Sequence, residues 1–510
     1  MWKKLLITGC VTFSLLSGGT LSAQPSCEIK EEVTSEQLDR TQKELVAMMK
    51  ELKNDSYFQT ELDKAAVQSS LSKRMAAYKD LTVRLLSVLE IQAELEWMKP
   101  EAIQEALGIM KKSSGFDAVL ADKRFGELKS LLAGGFDGIY TGDAQAIDKA
   151  NKTLTLKRKL MLMSPDVNVD KMLTVKFDLG ERANFVGAGS LGIQPNNWSN
   201  LSSASRKNFK AQLVELSGLQ SGELSEKVLY KPAVDGSSVT DLVLNWDGKR
   251  LMFTALDTTR RWQVHELDIN NGEAKQVTNI PEPDLEFFDG TYLPDGRMLA
   301  ISNIGYQGVP CVNGSDAVGN MVLYDPSNGY LRRLTFDQDA NWHPVVMANG
   351  KVMYVRWEYT DLTHYFSRIV MHMNPDGTEQ KSLYGSGSMF PNSIFDVQPL
   401  PKHTNRFVGV ISGHHGVARS GRLMIFDPAK SRKEEKGMIQ ELPFRGRPII
   451  PEVKDELVNG VWPQFIKPYP LTDETFLVTA KLSPYSRWGI YLVDIYDNLT
   501  LVANADDAGM

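Results

Sequence analysis

Cysteine is scarce in this sequence, with three among 510 residues. Three cysteines cannot build a disulfide framework, and no Cys-x-x-Cys pair is present for a zinc knuckle or a thioredoxin-like site. A Cys-x-x-Cys-His motif is also absent, which excludes covalently attached c-type haem. The Gly-x-Ser-x-Gly elbow, the His-Glu-x-x-His helix and the P-loop are missing too. These absences weaken hydrolase, zincin and NTPase functions.

Net positive charge is missing as well, because the formal net charge is −6. A general nucleic-acid binder needs a basic surface to neutralise phosphates, so we expect no nucleic-acid partner. Hydrophobic residues make up 42% and charged residues 24%, which excludes a wholly disordered chain. The length indicates about two to four domains.

Residues 1–23 have the parts of a secretory signal peptide. Two lysines precede a short apolar stretch, and Leu21-Ser22-Ala23 supplies small residues at the cleavage positions. We therefore expect an exported protein, periplasmic or at the cell surface, with Gln24 as the first mature residue. The lipobox-like Ile7-Thr8-Gly9-Cys10 offers lipidation as the alternative, but it lies close to the lysines and the apolar run continues beyond it. No window of about 20 residues is apolar enough for a transmembrane segment.

Residues 24–165 have the spacing of helices. Leu45, Met48, Met49 and Leu52 recur at i, i+3, i+4 and i+7, and glutamate, lysine, glutamine, alanine and leucine dominate. This pattern predicts an α-helical hairpin or bundle. Its role is open between a cap packed on the next domain and an arm that docks a partner or oligomerises. Heptads are not sustained, so we predict no coiled coil.

A repeat of about fifty residues runs through residues 166–510. An apolar strand, usually ending in Asp or Asn, recurs at 211–217, 263–268, 321–325, 369–374, 423–427 and 490–494. Upstream of most copies, two strands flank a tight turn such as Asp247-Gly248 or Asp295-Gly296. The unit therefore has four strands, and six copies predict a mainly β fold: a six-bladed β-propeller preceded by the N-terminal helical region. Ring closure needs either Met172–Phe177 to join the last blade or the strand Leu499–Val502 to complete it.

The repeat resembles the PD40 (TolB-like) propeller motif, especially at Asn341-Trp-His-Pro and the Asp-Gly turns. Longer strings within about residues 170–502 resemble the hydrazine synthase alpha-subunit middle-domain family; they include Arg332-Arg-Leu-Thr-Phe-Asp-Gln-Asp, Pro391-Asn-Ser-Ile-Phe and Ser412-Gly-His-His-Gly. The resemblance implies a six-bladed propeller of a kind found in exported proteins. Alpha subunits of hydrazine synthase use c-type haem, and since this chain lacks the attachment motif we expect no haem-based hydrazine synthesis.

The functional candidates collect on one face of the predicted propeller. In a four-stranded blade, the loop between strands two and three and the link to the next blade emerge on the same face, which we call the long-loop face. Long loops on a rigid scaffold are where binding residues gather. The candidates for ligand binding there are His343, Arg356, Glu358, His364, Arg368, His414, His415 and Trp462.

Several of these candidates have a structural explanation as well. Adjacent residues of an extended strand point to opposite sides, so at most one of His414 and His415 faces the channel. Arg356 and Glu358 share strand parity, which favours a structural ion pair over acid–base catalysis. His343 precedes a proline at the start of an inner strand, which favours a place at the channel mouth.

Two functions follow from these residues. The leading hypothesis is an exported propeller that binds an unidentified ligand or partner protein on its long-loop face; there His364 and Arg368 either bind an anion or brace a loop. The rival is an enzyme that uses a divalent metal held by His343, His364 and His414, by analogy with propeller-fold polysaccharide lyases. Such a metal would neutralise a uronate carboxylate while a base removes the neighbouring proton. The pattern identifies neither the ligand nor the oligomeric state.

Overall fold

The computed structural model describes residues 33–167, 170–178, 199–204, 206–207, 209–221, 223–359, 368–414 and 419–504. Its first part is helical, as predicted. The six α-helices of these ranges are α1 Ser35–Met49, α2 Ser56–Ala66, α3 Leu71–Glu96, α4 Pro100–Met110, α5 Ala118–Leu132 and α6 Ala144–Met161. None of them is long and apolar enough to cross a membrane.

Local sequence signals explain where these helices begin and what they bury. Thr34 caps α1 by accepting from the backbone N–H of Gln37, whose side chain accepts in return from the N–H of Thr34. Pro100 stands at the first turn of α4, where its missing N–H costs nothing. The apolar stripes of α1, α2 and α3 meet in one core that includes Leu45 and Leu85.

The rest of the described chain is almost entirely β-structure. The strands are β1 Lys171–Asp178, β2 Lys210–Ser217, β3 Ser225–Tyr230, β4 Val239–Leu244, β5 Arg250–Leu256, β6 Trp262–Asp268, β7 Ala274–Gln276, β8 Phe287–Tyr292, β9 Met298–Ser302, β10 Asn320–Asp325, β11 Tyr330–Arg333, β12 Asn341–Val346, β13 Val352–Trp357, β14 Arg368–Met373, β15 Lys381–Tyr384, β16 Ser393–Pro399, β17 Phe407–Ser412, β18 Arg422–Phe426, β19 Met438–Leu442, β20 Gln464–Pro470, β21 Thr475–Lys481, β22 Gly489–Asp494 and β23 Leu499–Asn504.

Within the described residues the strands form six blades, which confirms the predicted six-bladed propeller. Blade 1 is β1–β3, and blades 2 to 6 are β4–β7, β8–β11, β12–β15, β16–β19 and β20–β23. Blades 4 and 5 are joined by a single parallel pair, Arg368 with Ser393. The inner strands β4, β8, β12, β16 and β20 contact one another in sequence around the axis. The predicted tight turns are present, with Gly248 at φ 66° and Gly296 at φ 89°.

Ring closure follows the second of the two predicted routes. Strand β23 pairs with β22 and completes blade 6, whereas β1 pairs with β2 in its own blade instead of joining blade 6. Val214 and Leu216 of blade 1 then pack against Ala503 of blade 6. Among the described residues, blade 1 has three strands and no counterpart of the inner strand.

The helical region packs on blades 5 and 6, where Ala93 of α3 belongs to one apolar cluster with Val408 of blade 5 and Val478 of blade 6. The buried ammonium of Lys157 in α6 donates to the backbone oxygen of Trp97 at 2.8 Å and to that of Leu499 in β23 at 2.7 Å. Glu90 of α3 accepts from the guanidinium of Arg487 at 2.7 and 2.9 Å. These contacts give the helices the position of a cap on the propeller.

Candidate functional site: an axial ring of charged residues

Each of the five inner strands contains a β-bulge at the same place. In every case two residues of the inner strand oppose one residue of the next strand. The first residue of each bulge has left-handed backbone geometry, with φ between 50° and 55°. A bulge re-aims side chains, and positive φ is uncommon outside glycine. The five residues, which we call the axial ring, are Asp241, Asp289, His343, Asp396 and Lys467.

The carboxylates of the axial ring join successive blades. The backbone N–H of Asp289 donates to Asp241 Oδ2 at 3.2 Å, and that of His343 donates to Asp289 Oδ2 at 2.6 Å. The backbone N–H of Lys467 donates to Asp396 Oδ2 at 3.0 Å. A hydrogen bond to a charged group contributes about 1.5–3 kcal/mol. The ring therefore has a structural role, because each aspartate holds the equivalent residue of the next blade.

The two basic members of the axial ring, His343 and Lys467, contact its carboxylates. The His343 ring lies between two carboxylates, with Nδ1 3.4 Å from Asp289 Oδ2 and Nε2 3.3 Å from Asp396 Oδ1. Lys467 Nζ lies 3.0 Å from Asp396 Oδ1 and 3.9 Å from Asp241 Oδ1. Lys467 thus links blade 6 to blade 2 past blade 1.

Arg419 adds a further cation beside the ring, and this one is buried. Arg419 is 3% exposed, and its guanidinium carbon lies 5.2 Å from the centre of the Trp342 ring and 4.8 Å from that of Phe395. Arg419 Nη2 donates to the backbone oxygen of Ser199. Ser199 Oγ in turn donates to Asp316 Oδ2 at 2.6 Å. These bonds anchor the loop between β1 and β2 to loops of other blades.

Four ring residues, Arg419 and the segment Asn200–Leu201 line a small cavity at the axis. About 310 Å³ of empty space is present when the opening to solvent is counted, but the enclosed part has room for little more than a water molecule. Arg419 and Asn200 come from loops between second and third strands, so the cavity lies at the end of the axis that faces the long-loop side. Lys467 keeps 36% of its side chain exposed and His343 9%. The lining residues are Asn200, Leu201, Thr240, Asp241, Phe288, Asp289, Trp342, His343, Arg419 and Lys467.

The carboxylates of the ring are not electrostatically equivalent. Burial opposes ionisation of Asp289, but His343 and Lys467 outweigh it and hold the pKa of Asp289 well below its ordinary value. Burial is likewise outweighed at Asp396, where Lys467 and His343 lower the pKa. At Asp241, burial and the nearby charge of Asp289 prevail and raise the pKa. Asp241 is therefore the weakest acid of the three.

The cations of the site respond to burial in different ways. Burial lowers the pKa of Arg419 to about 10, although Asp396, Asp289 and Asp241 act against this shift. At Lys467 burial is overcome by the same three carboxylates, which raise the pKa of its ammonium. Both groups therefore carry a positive charge at neutral pH.

Among the sequence-predicted candidates that the structure describes, His343 lines the cavity. His364 and His415 lie outside the described residues. Arg356 forms the ion pair with Glu358 that strand parity predicts, and its Nη1 also lies 3.6 Å from Asp337 Oδ1. The predicted pair is therefore present, and its structural role stays a prediction.

The other described candidates lie at strand ends on the long-loop side. Arg368, at the start of β14, is fully buried with its guanidinium carbon 4.5 Å from the centre of the Trp357 ring. His414 follows β17 and its backbone N–H donates to Asp455 O at 2.8 Å. Trp462 precedes β20, and its ring centre lies 5.6 Å from the ammonium of Lys481. Their part in ligand binding stays a prediction.

The metal-site hypothesis gains no support from the residues that the structure describes. Within them no group of three histidine, cysteine, aspartate or glutamate side chains is placed to hold a metal ion. The predicted set His343, His364 and His414 includes one residue outside the described ranges. That set therefore stays a prediction.

Sequence reasoning missed four of the five ring residues, although a signal for them was present. Asp241, Asp289, His343 and Lys467 each stand six residues before the Asp or Asn of the following turn, at Asp247, Asp295, Asn349 and Asp473. Three of them also directly follow a large apolar residue of the inner strand, Phe288, Trp342 or Ile466. Aligning the repeats on their turns places these charges in register.

Comparisons with known proteins add likenesses of fold. No family model matches the sequence, and no curated protein matches it. The hydrazine synthase of Kuenenia stuttgartiensis is similar at 15% identity and a TM-score of 0.49, over 67% of this chain and 46% of that chain. TolB from Acinetobacter baumannii is similar at 12% identity and a TM-score of 0.40, over 69% and 68%. The acylaminoacyl peptidase of Pyrococcus horikoshii is similar at 12% identity and a TM-score of 0.33, over 59% and 44%.

These likenesses stay below a TM-score of 0.5, so the assignment of the fold rests on the chain's own blades. The chain spans less than half of the hydrazine synthase chain, 46%. Membership of the hydrazine synthase alpha middle-domain family stays a prediction from the sequence strings. By its own sheets the protein is a six-bladed β-propeller with an N-terminal helical region.

Proposed function

We propose that this protein is an exported binding module whose propeller holds a ligand, or a segment of a partner protein, in the axial cavity on its long-loop side. Export is supported by the signal-peptide pattern of residues 1–23. Binding is supported by the concentration of charge at the axis. No haem chemistry enters this proposal.

The observation that carries the proposal is the buried guanidinium of Arg419, one N–H group of which has no hydrogen-bond partner among the described residues. Transferring a charge from water into a protein costs several kcal/mol unless the group is paired. The backbone bonds between blades account for the three aspartates, and Asp396 accounts for Lys467. Arg419 Nε, in contrast, is buried without a hydrogen-bond partner among the described residues. A propeller axis that only had to be filled would be packed more favourably by an apolar side chain.

The test compares wild-type protein with a cavity variant against a panel of small organic acids, amines and zwitterions. Lys467→Met removes the most exposed charge of the cavity, and Lys351→Met serves as the matched control. Lys351 is also a partly exposed, ion-paired lysine, 2.9 Å from Glu379, but it lies beside the Asn349-Gly350 turn on the opposite face.

The readout is the melting temperature of each protein with and without each compound. We expect at least one class of compound to raise the melting temperature of the wild type and of Lys351→Met, since ligand binding to the folded state stabilises it. The same class should leave Lys467→Met unchanged. If every compound acts equally on all three proteins, or none acts, the axial cavity is not a binding site.

A further inference from the structure

We infer that the axial cavity binds an anionic oxygen, the carboxylate of a small acid or of a chain terminus. This inference rests on the proposed function and deepens it by naming the class of ligand. The chemistry of the unused hydrogen-bonding groups in the cavity carries the argument.

Two buried N–H donors in the cavity lining have no hydrogen-bond partner among the described residues: Arg419 Nε and Trp342 Nε1. Arg419 is 3% exposed and Trp342 1%. Both groups can only donate, because neither a guanidinium nor an indole N–H accepts a hydrogen bond. The two side chains are stacked, with the guanidinium carbon 5.2 Å from the indole centre. A third buried atom of the lining, His343 Nε2, also has no hydrogen-bond partner among the described residues, and an imidazole nitrogen either donates or accepts. The two unpartnered groups whose role is fixed by their chemistry are therefore both donors.

One oxygen of each aspartate in the lining and the amide oxygen of Asn200 already accept a backbone hydrogen bond. Asp241 Oδ2 accepts the N–H of Asp289, and Asp289 Oδ2 accepts the N–H of His343. Asn200 Oδ1 accepts the N–H of Ser202 at 2.8 Å. A cationic ligand would compete for these oxygens with bonds that hold the blades together. An acceptor ligand, in contrast, would satisfy donors that no other described group uses.

Size and the position of the cations agree with a carboxylate. Asp241 and Asp289 offset the charges of Lys467 and Arg419 in the lining, but Lys467 marks the exposed side of the cavity, where a ligand would enter. The enclosed space suits one oxygen atom, since it has room for little more than a water molecule. A carboxylate would place one oxygen among the buried donors and the other near the Lys467 ammonium. Formate is the smallest probe with this chemistry.

The experiment measures binding of sodium formate to the mature full chain by saturation-transfer NMR, which observes the formate proton directly. We expect saturation transfer with the wild type and with Lys351→Met. Lys467→Met should bind formate at least about tenfold more weakly than the wild type, because the substitution removes a charge-assisted contact. Trp342→Phe, which keeps an aromatic side chain but removes the indole N–H, should also weaken formate binding. Circular dichroism and melting temperature establish that each variant is folded.

A second titration separates the sources of the carboxylate. N-acetylglycine represents a chain terminus, and N-acetylglycinamide is its uncharged counterpart. Displacement of formate by the acid but not by the amide supports the carboxylate of a chain end. Displacement by acetate alone supports a free small acid. Both results support the inference.

Three outcomes would overturn it. Equal formate binding by wild type and Lys467→Met would place the formate elsewhere on the protein. Binding of ethylammonium chloride that is lost in Asp241→Asn, with no binding of formate, would leave the proposed function standing and reverse the class of ligand. Absence of binding by both probes up to about 100 mM, far weaker than specific sites of this kind, would mean that the cavity holds only water, and if the wider panel is also inert the proposed function fails too.

Discussion

Lys467 in the inner strand of blade 6 lies 3.9 Å from Asp241 in the inner strand of blade 2, measured from Nζ to Oδ1. The two residues are 226 positions apart in the sequence. Blade 1 stands between their blades and contributes no inner strand among the described residues. A charged contact between side chains therefore links blade 6 to blade 2 at the cavity. We call this junction, where the ring of inner strands closes, the seam of the propeller.

Removing the Lys467 ammonium should weaken this seam. In Lys467→Met, the buried carboxylate of Asp396 loses its closest cation, 3.0 Å away. Because Lys467 is partly exposed and water can screen the remaining charge, we expect a loss of about 1–3 kcal/mol in the free energy of unfolding. Urea unfolding measures it. Lys351→Met should stay within about 0.5 kcal/mol of the wild type, and equal losses in the two variants would contradict the seam.

Two isosteric substitutions in the ring should differ in their effect on the free energy of unfolding. Burial is outweighed by Lys467 and His343 at Asp396, which lowers its pKa, so its ionised form stabilises the fold above the unfolded pKa of about 3.9. Asp396→Asn should therefore destabilise the protein at pH 7, and the difference should disappear as the pH falls below the lowered pKa. Burial and Asp289 raise the pKa of Asp241, so Asp241→Asn should be neutral or stabilising at pH 7.

Urea unfolding of both variants between about pH 3 and 7 tests this pair, the lower limit lying below the ordinary aspartate pKa. Asparagine keeps an oxygen that accepts the N–H of the next blade, so the comparison isolates charge from hydrogen bonding. A loss of stability in both variants at pH 7 would show that the ring carboxylates act alike, against the difference in their surroundings.

Glu94 of α3 lines a crevice at the junction with Arg487 and Tyr491 of the propeller, and we expect it to make the stability of this junction depend on pH. Burial raises its pKa to about 7, with Lys157 acting against the shift. The folded protein then binds a proton that the unfolded chain has released above about pH 4.3, so the contribution of Glu94 to stability falls as pH rises from that value to about 7. Glu94→Gln should remove this slope. Melting temperatures of the two proteins should diverge in favour of the variant across that window and stay parallel above it; parallel curves throughout would contradict the prediction.

Lys157 should hold the helical region on the propeller. Lys157 is 3% exposed, and its ammonium donates hydrogen bonds to two backbone oxygens, one on each side of the junction. Lys157→Met leaves those oxygens without their donor, and we expect a loss of about 2–4 kcal/mol. Lys152→Met on the same helix removes only an exposed pair with Asp148 and should cost less than about 0.5 kcal/mol. Limited proteolysis should cut the helical region faster in the first variant only.

Export can be tested at the N-terminus. We expect the protein recovered outside the cytoplasm to begin at Gln24, as read by intact mass. Ala23→Asp should block that cleavage, because the processing site needs a small residue. Cys10→Ser distinguishes lipidation: unchanged processing supports the signal peptide, whereas a lost lipid mass would establish the lipoprotein alternative.

The blades could be predicted from the sequence because their signals are local. Alternating apolar residues define strands, and Asp-Gly turns mark hairpins wherever they occur. Counting the third strands was therefore sufficient for six blades. The Arg356–Glu358 pair was predictable for the same reason, since two residues apart on one strand share a face.

The cavity could not be predicted in this way. His343 was singled out for its place at the start of an inner strand, but its partners Asp289 and Asp396 lie about fifty residues away on either side. Arg419 donates to the backbone oxygen of Ser199, which lies 220 residues away in the sequence. No short-range pattern encodes such contacts.

The sequence by itself determined the repeat, the turns, the helical N-terminal region and the charges at one position of each inner strand, because periodicity and turn chemistry act over a few neighbouring residues. The tertiary structure alone decided that those charges meet. The bulges turn them toward one axis, and burial together with the neighbouring charges sets which carboxylate is strong and which is weak. Distance through space and exclusion of water are properties of the closed ring, and no segment of the chain has them alone.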